Sequence, residues 1–379
     1  MKDKLLQARQ GLLDSRATLA QAKATIGFDG FLDEIIHAVD LRTDKDNYEA
    51  IPTIESLGKR ILSAAGKSAN IELVPLQQKL GGNGPLMASA LGSLGPKIVC
   101  VGLMGKPLHP VFEKLAAELP NIEMISAGDP GYTQALEFTD GKLMLGKPGT
   151  MRDMNWPNLV SALGSRRDEV LFGGSLLACT NWTQLTEMTP LLVEMEKVLP
   201  VSPDLTIFFD LADPEKRPKQ DLLEVLQIMG KIQKKAKVIL GVNLREAEQV
   251  SAVLGIPEVP EDSVEGGKAA SRRIAEAMGI HGVVIHMVAY ASAYVGGVTA
   301  GVPGPFCAKP VLTTGAGDHF NGGFTGGYLA GLPLDQCLWT GVCTSGTYVR
   351  IGRSPSFEEI TGFMADWAGG KIGDCPPPV

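Results

Sequence analysis

Short apolar runs, several of them β-branched, recur along the chain and are separated by longer stretches with helical spacing. This alternation limits the fold more than any other feature. Runs of strand type fall at residues 25–27, 97–102, 169–171, 206–209, 237–240 and 282–286. Helical spacing covers 85–94, 111–118, 189–199, 220–235 and 267–278. A strand that is apolar at nearly every position is buried on both faces. The pattern therefore predicts an α/β fold of three layers, with a mostly parallel central sheet between helices.

Two segments break that rhythm. Residues 37–80 are more polar, with a helix expected near 54–65 and an extended piece around 70–75. Residues 132–145 alternate as a hairpin does, and Asp140-Gly141 suits its turn. The expected organisation is one domain over 1–379 carrying a small β-rich lid, built from segments of about 37–80 and 131–146. Residues 1–24 read as a polar amphipathic helix, and a proline-rich tail occupies 376–378.

Composition narrows the function. A net charge of −7 without a dense Lys/Arg stripe argues against a nucleic-acid binder. No run approaches the roughly 18 apolar residues of a membrane span, and the N-terminus lacks the apolar core of a secretory signal. Six scattered cysteines with no C-x-x-C pair point to reduced thiols and no zinc site, so a cytoplasmic location is expected.

The sharpest motif is Thr313-Thr314-Gly315-Ala316-Gly317-Asp318-His319-Phe320-Asn321-Gly322-Gly323, which leads into a helical stretch. Gly315 and Gly317 let backbone N–H groups approach an anion, and a helix starting there adds its positive end. Asp318 at the end of that cradle can orient a hydroxyl and take its proton. Read alone, Gly-x-Gly-Asp would equally suit an ordinary turn capped by Asp. Ala65-Gly66-Lys67-Ser68 is not a P-loop, because Ile61 stands where the first glycine is needed.

The longer run resembles the C-terminal signature of the ribokinase-like, or PfkB, carbohydrate kinases. Asn243-Leu244-Arg245-Glu246, just after a strand, is similar to that family's Asn-x-x-Glu motif. The resemblance covers about residues 25–355 and implies a ribokinase-like fold and an ATP- and Mg²⁺-dependent transfer to a sugar-like hydroxyl. It further implies Asp318 as base and an anion hole of Thr314, Gly315, Ala316 and Gly317. Asn243 and Glu246 would organise metal and phosphates, with an adenine wall within 339–352. Homodimerisation through the lid is also implied. Leu312 replaces the Asp with which many relatives bind potassium, so potassium activation is not expected.

At the acceptor end, Gly27-Phe28-Asp29-Gly30-Phe31-Leu32-Asp33 offers two carboxylates, with Asp33 closer to the family spacing. Gly81-Gly82-Asn83-Gly84 resembles the family's Gly-Gly motif. Its Asn directly follows the glycines, whereas the usual position, a few residues on, holds Leu86 or Met87; the acceptor is therefore left unnamed. Asn181 and Trp182 are further wall residues, and Arg60, Lys67 and Arg152 are cations that a folded lid could bring to a phosphorylated acceptor. The alternatives are a nucleoside kinase, an ADP-dependent sugar kinase or a catalytically silent sugar sensor on the same fold.

Overall fold

The computed structural model describes residues 1–257 and 261–375, so the proline-rich segment 376–378 lies outside the described residues. Along the chain the strands are β1 (Lys23–Gly27), β2 (Phe31–Arg42), β3 (Tyr48–Ala50), β4 (Leu73–Gly81), β5 (Lys97–Leu103), β6 (Ile122–Gly128) and β7 (Gly131–Phe138). They continue as β8 (Gly141–Lys147), β9 (Leu176–Cys179), β10 (Thr206–Asp210), β11 (Lys237–Val242), β12 (Gly282–His286), β13 (Tyr290–Val295) and β14 (Val298–Pro303).

The larger sheet has the order β14-β13-β12-β11-β10-β9-β1-β5-β6. It is parallel from β6 to β12 and antiparallel only at the β13–β14 edge. Its central strands are buried on both faces, as their unbroken apolar sequence requires. Ile207 and Phe209 of β10 enter one core layer and Phe208 the opposite one, the period-two alternation of a strand between two helical layers. One layer draws on helices Met188–Val198, Lys219–Ile232 and Val264–Met278. The other draws on Lys2–Asp14, Asn83–Gly92, Ala316–Leu329, Leu334–Ile351 and Phe357–Ala368.

Two expectations are corrected. The run 169–171 lies in a short helix, Arg167–Phe172, and the strand is Leu176–Cys179 beyond Gly173-Gly174. Glu169-Val170-Leu171 is too short to show a period, so local pattern could not separate the two. The N-terminal helix ends at Asp14, and after the short helix Arg16–Leu19 the chain enters β1, where Ala24 and Ile26 are buried between β5 and β9.

The smaller sheet has the order β3-β2-β7-β8, with β4 also paired to β2. It begins at Phe31, upstream of residue 37, and so includes Asp33. In the β7–β8 hairpin Phe138 pairs with Gly141, which makes Thr139-Asp140 the two-residue loop. Asp140 is thereby freed to accept a hydrogen bond (2.9 Å) from the N–H of Ile54, the first residue of helix Ile54–Ser63. The chain passes between the sheets at Phe28-Asp29-Gly30. A Cβ on Gly30 would meet the Leu103 carbonyl at 2.1 Å, so only glycine fits this crossing.

Candidate active site

The carboxyl ends of β1, β9, β10 and β11 face the N-termini of helices Asn83–Gly92 and Ala316–Leu329, and the motif residues converge there. Gly315 caps the second helix in the left-handed conformation (φ 87°). Its carbonyl accepts a hydrogen bond from His319 Nδ1 (2.7 Å), while the Thr314 carbonyl accepts one from the Tyr348 hydroxyl (2.6 Å). His319 stacks on Tyr348 at 3.6 Å and accepts from Ser354 through Nε2 (2.7 Å). Burial lowers the His319 pKa to about 4, so the ring is a neutral wall of the helix. With both carbonyls turned into the protein, the N–H of Gly317 opens on the site, since first-turn amides have no partner within the helix.

Asp318 is 6% exposed and accepts a hydrogen bond from Asn83 Nδ2 (2.8 Å). Burial, and then the nearby Asp210, raise its pKa well above the ordinary carboxylate range. Asn83 therefore reaches the motif carboxylate directly. Asp29 is fully buried and accepts from the N–H groups of Asn83 (2.8 Å) and Gly84 (2.7 Å) and from Asn181 Nδ2 (2.7 Å). Its carboxylate anchors the start of the Asn83–Gly92 helix. Gly82 takes φ 94° there, and a Cβ would meet Gly30 Cα at 3.1 Å.

Asn243 and Glu246 form a reciprocal capping box: Asn243 Oδ1 accepts from the Glu246 N–H (3.0 Å) and Glu246 Oε2 from the Asn243 N–H (2.9 Å). Glu246 also accepts from the Asp213 N–H (2.8 Å). Asp210, which the sequence reading missed, ends β10 close to Glu246. It is buried against Asn321 Nδ2 (2.6 Å), and desolvation followed by repulsion from Glu246 raises its pKa to about 8. The sequence marks it only as an Asp closing the apolar run 207–209; its role depends on Glu246 across the loops.

The loops after β9 and β10 hold every non-glycine residue of positive φ among those described: Asn181 (58°), Ala212 (56°) and Asp213 (68°). Each costs about 1–3 kcal/mol and persists only where its surroundings hold it. Arg217 supplies part of that hold by lying 4.2 Å over Trp182 and donating to its carbonyl (3.2 Å). Trp182 itself is core, with Nε1 donating to Thr189.

Two cavities meet at the loop 313–317. A larger one, about 530 Å³, is walled by Pro305, Gly317, Phe320, Val342, Gly346 and Val349. A smaller one lies against the small sheet and is lined by Asp33, Lys79, Lys142, Leu86, Thr314 and Tyr348. Burial raises the Asp33 pKa, partly offset by a hydrogen bond from Thr133 and the charge of Lys142. Gly81 is in contact with this carboxylate, where a Cβ would come within 2.7 Å. Arg60 is instead engaged with the Val39 and Asp40 carbonyls and the Asp40 carboxylate, and Lys67 and Arg152 are exposed.

Three kinases are among the solved structures that share this fold. The nucleoside kinase of Methanocaldococcus jannaschii is 15% identical, covering 91% of this chain and 98% of its own, with a TM-score of 0.60. The ribokinase of Thermotoga maritima is 18% identical (91% and 99%, TM-score 0.57). The ribokinase of Cryptococcus neoformans var. grubii serotype A, solved in complex with ADP, is 17% identical (90% and 99%, TM-score 0.60). The architecture is that of the ribokinase-like carbohydrate kinases.

Residues 3–367 match the prokaryotic ketohexokinase model, and the chain belongs to that family. A ketohexokinase of Haloferax volcanii is 27% identical over 351 residues, 91% of each chain. The protein is a phosphotransferase acting on a sugar hydroxyl, and the silent-sensor alternative is not favoured.

Proposed function

We propose that this protein is an ATP-dependent ketohexokinase in which the smaller cavity takes the sugar and the larger one the nucleotide. One observation carries the reading: Asp318 is buried, held by Asn83, and sits on the helix start that separates the two cavities. Its raised pKa suits a group that must take a proton near neutrality, and burial is the main cause. As the sugar hydroxyl attacks, its proton passes to Asp318. The Gly317 N–H and the helix N-terminus, with Thr314, Gly315 and Ala316 shaping the turn, stabilise the phosphoryl in transit.

Magnesium fits the carboxylates on the nucleotide side. Asp210 and Glu246 are buried, and burial raises both pKa values, with repulsion from Glu246 adding to it at Asp210 and repulsion from Asp213 at Glu246. Among the described residues no cluster of three or more His, Cys, Asp or Glu could hold a metal by itself. That suits an ion which completes its shell with water and substrate phosphates. Asp210 and Glu246 would hold it, with Asn243 fixing Glu246, and when bound it neutralises phosphate charge.

Asp33, beside Gly81 and Gly82, serves as the sugar-binding carboxylate, and Asp29 acts through the Asn83–Gly84 turn. The smaller sheet acts as the lid on a single kinase domain. Its exposed Leu41, Leu73 and Leu76 support a homodimer through it, which sedimentation velocity would detect. No helix among the described residues is long and apolar enough to cross a membrane, and we place the enzyme in the cytoplasm without nucleic-acid partners.

Turnover of ketoses, aldoses, polyols and nucleosides with ATP or ADP, beside Asp318→Asn, tests the proposal. The expected result is ketose turnover with ATP, lowered about 10²–10⁴-fold in the variant while calorimetric nucleotide affinity stays within a few-fold. Equal turnover by both proteins would remove Asp318 as base, and a preferred nucleoside or ADP would overturn the ketohexokinase reading.

A further inference from the structure

Among the described residues, one cation on the small-sheet wall of the smaller cavity, Lys79, makes no hydrogen bond or ion pair. Lys79 is directly opposite Asp33 in the antiparallel β2–β4 pairing, so both side chains leave the same face of the sheet and line the same cavity. Lys79 is half-buried and has no hydrogen-bond or ion-pair partner among the described residues. The second ammonium on that face, Lys142, is already engaged by Glu137 at 2.9 Å. A lysine of intermediate burial covers apolar surface with its stem and leaves its ammonium at the cavity's edge, and no acceptor among the described residues engages that ammonium.

We propose that Lys79 is a specificity-determining residue which, with Asp33, brackets adjacent hydroxyls of an uncharged polyhydroxylated acceptor. This rests on the reading of the smaller cavity as the sugar site. Asp33 can only accept from a hydroxyl and Lys79 can only donate to one, so the pair matches neighbouring hydroxyl groups, each of which does both. Charge favours the same class. Asp33 and Glu137 offset Lys79 and Lys142 on this wall, and Asp318 adds a further carboxylate near Tyr348, which lines the same cavity, so a carboxylate or phosphate on the acceptor would gain no net attraction. Ile35, Ala135 and Met144 supply the apolar surface that the C–H faces of a sugar require.

The test compares wild type, Lys79→Met and Lys79→Arg on a neutral ketohexose, a sugar acid and a sugar phosphate at saturating ATP. Lys79→Met is expected to raise KM for the neutral acceptor at least tenfold, with kcat within about threefold and KM for ATP unchanged. Lys79→Arg, which keeps the donor, should recover most of that loss, whereas a merely structural role would leave no such split. An unchanged acceptor KM in Lys79→Met overturns the assignment, as does wild-type preference for the sugar acid or sugar phosphate. Wild-type failure on every sugar would instead remove the reading of the cavity, and this inference with it.

Discussion

Asp29 and Asp318 are both buried carboxylates, yet their hydrogen-bond partners differ. Asp29 accepts from two backbone N–H groups and the Asn181 amide, so its oxygens are committed to the protein. Asp318 has one side-chain donor, Asn83, and sits in the first turn of helix Ala316–Leu329, beside the loop where the two cavities meet. Asp29→Ala would leave three buried donors unpaired, and we expect it to destabilise the protein by about 3 kcal/mol or more in urea titrations. Asp318→Asn keeps shape and hydrogen-bonding capacity and removes a buried charge, so its urea midpoint should not fall below that of wild type. If the two variants melted alike, the division between anchor and base would fail.

The hairpin of β7 and β8 shows how one residue of register changes what an element does. Had Asp140-Gly141 formed the turn, the Asp140 carboxylate would have served its own loop. With Thr139-Asp140 as the loop, it caps helix Ile54–Ser63 from 86 residues away and ties the two parts of the small sheet together. Thr53 caps the same helix by accepting from the Ser56 N–H (3.0 Å), so the two caps are complementary. Removing one cap costs about 1 kcal/mol. Asp140→Ala should therefore speed amide hydrogen exchange across residues 54–57 while leaving the midpoint of global unfolding nearly unmoved. Unchanged exchange there would show that the cap contributes nothing.

Across the whole molecule, the site gathers carboxylates that the fold cannot neutralise by itself. Asp29, Asp210, Glu246 and Asp318 all have pKa values raised mainly by burial. A carboxyl group with a raised folded pKa binds more protons folded than unfolded, so stability falls as pH rises between the two values. For Asp210 that window runs from the unfolded value near 4 to about 8. Metal-free, nucleotide-free protein should thus resist urea better at pH 6 than at pH 8, and Asp210→Asn should reduce the difference. A midpoint that rose over this interval would contradict the assignment. Concentrating negative charge beside the proposed nucleotide site would be unfavourable without a cation, and this supports the proposal of magnesium at Asp210 and Glu246.

Much of this was determined by sequence. Wholly apolar strands spaced by helices can be buried only as a parallel sheet between two layers. The Gly-Ala-Gly-Asp run and Asn-x-x-Glu marked their helix starts because glycine and capping chemistry act within a few residues. Tertiary structure alone decided the surroundings of each carboxylate: Asp29 held by backbone donors, Asp318 by Asn83, and Asp33 on the wall of the smaller cavity. Asp29 and Asp33 are four residues apart, yet a chain crossing at Gly30 sends one into the larger sheet's end and the other onto the smaller sheet. Asp210 and Lys79 went unseen for the same reason: their meaning comes from Glu246 and Asp33, neighbours across strands and loops. Burial and charge pairing depend on distance in space, and local pattern carries only distance along the chain.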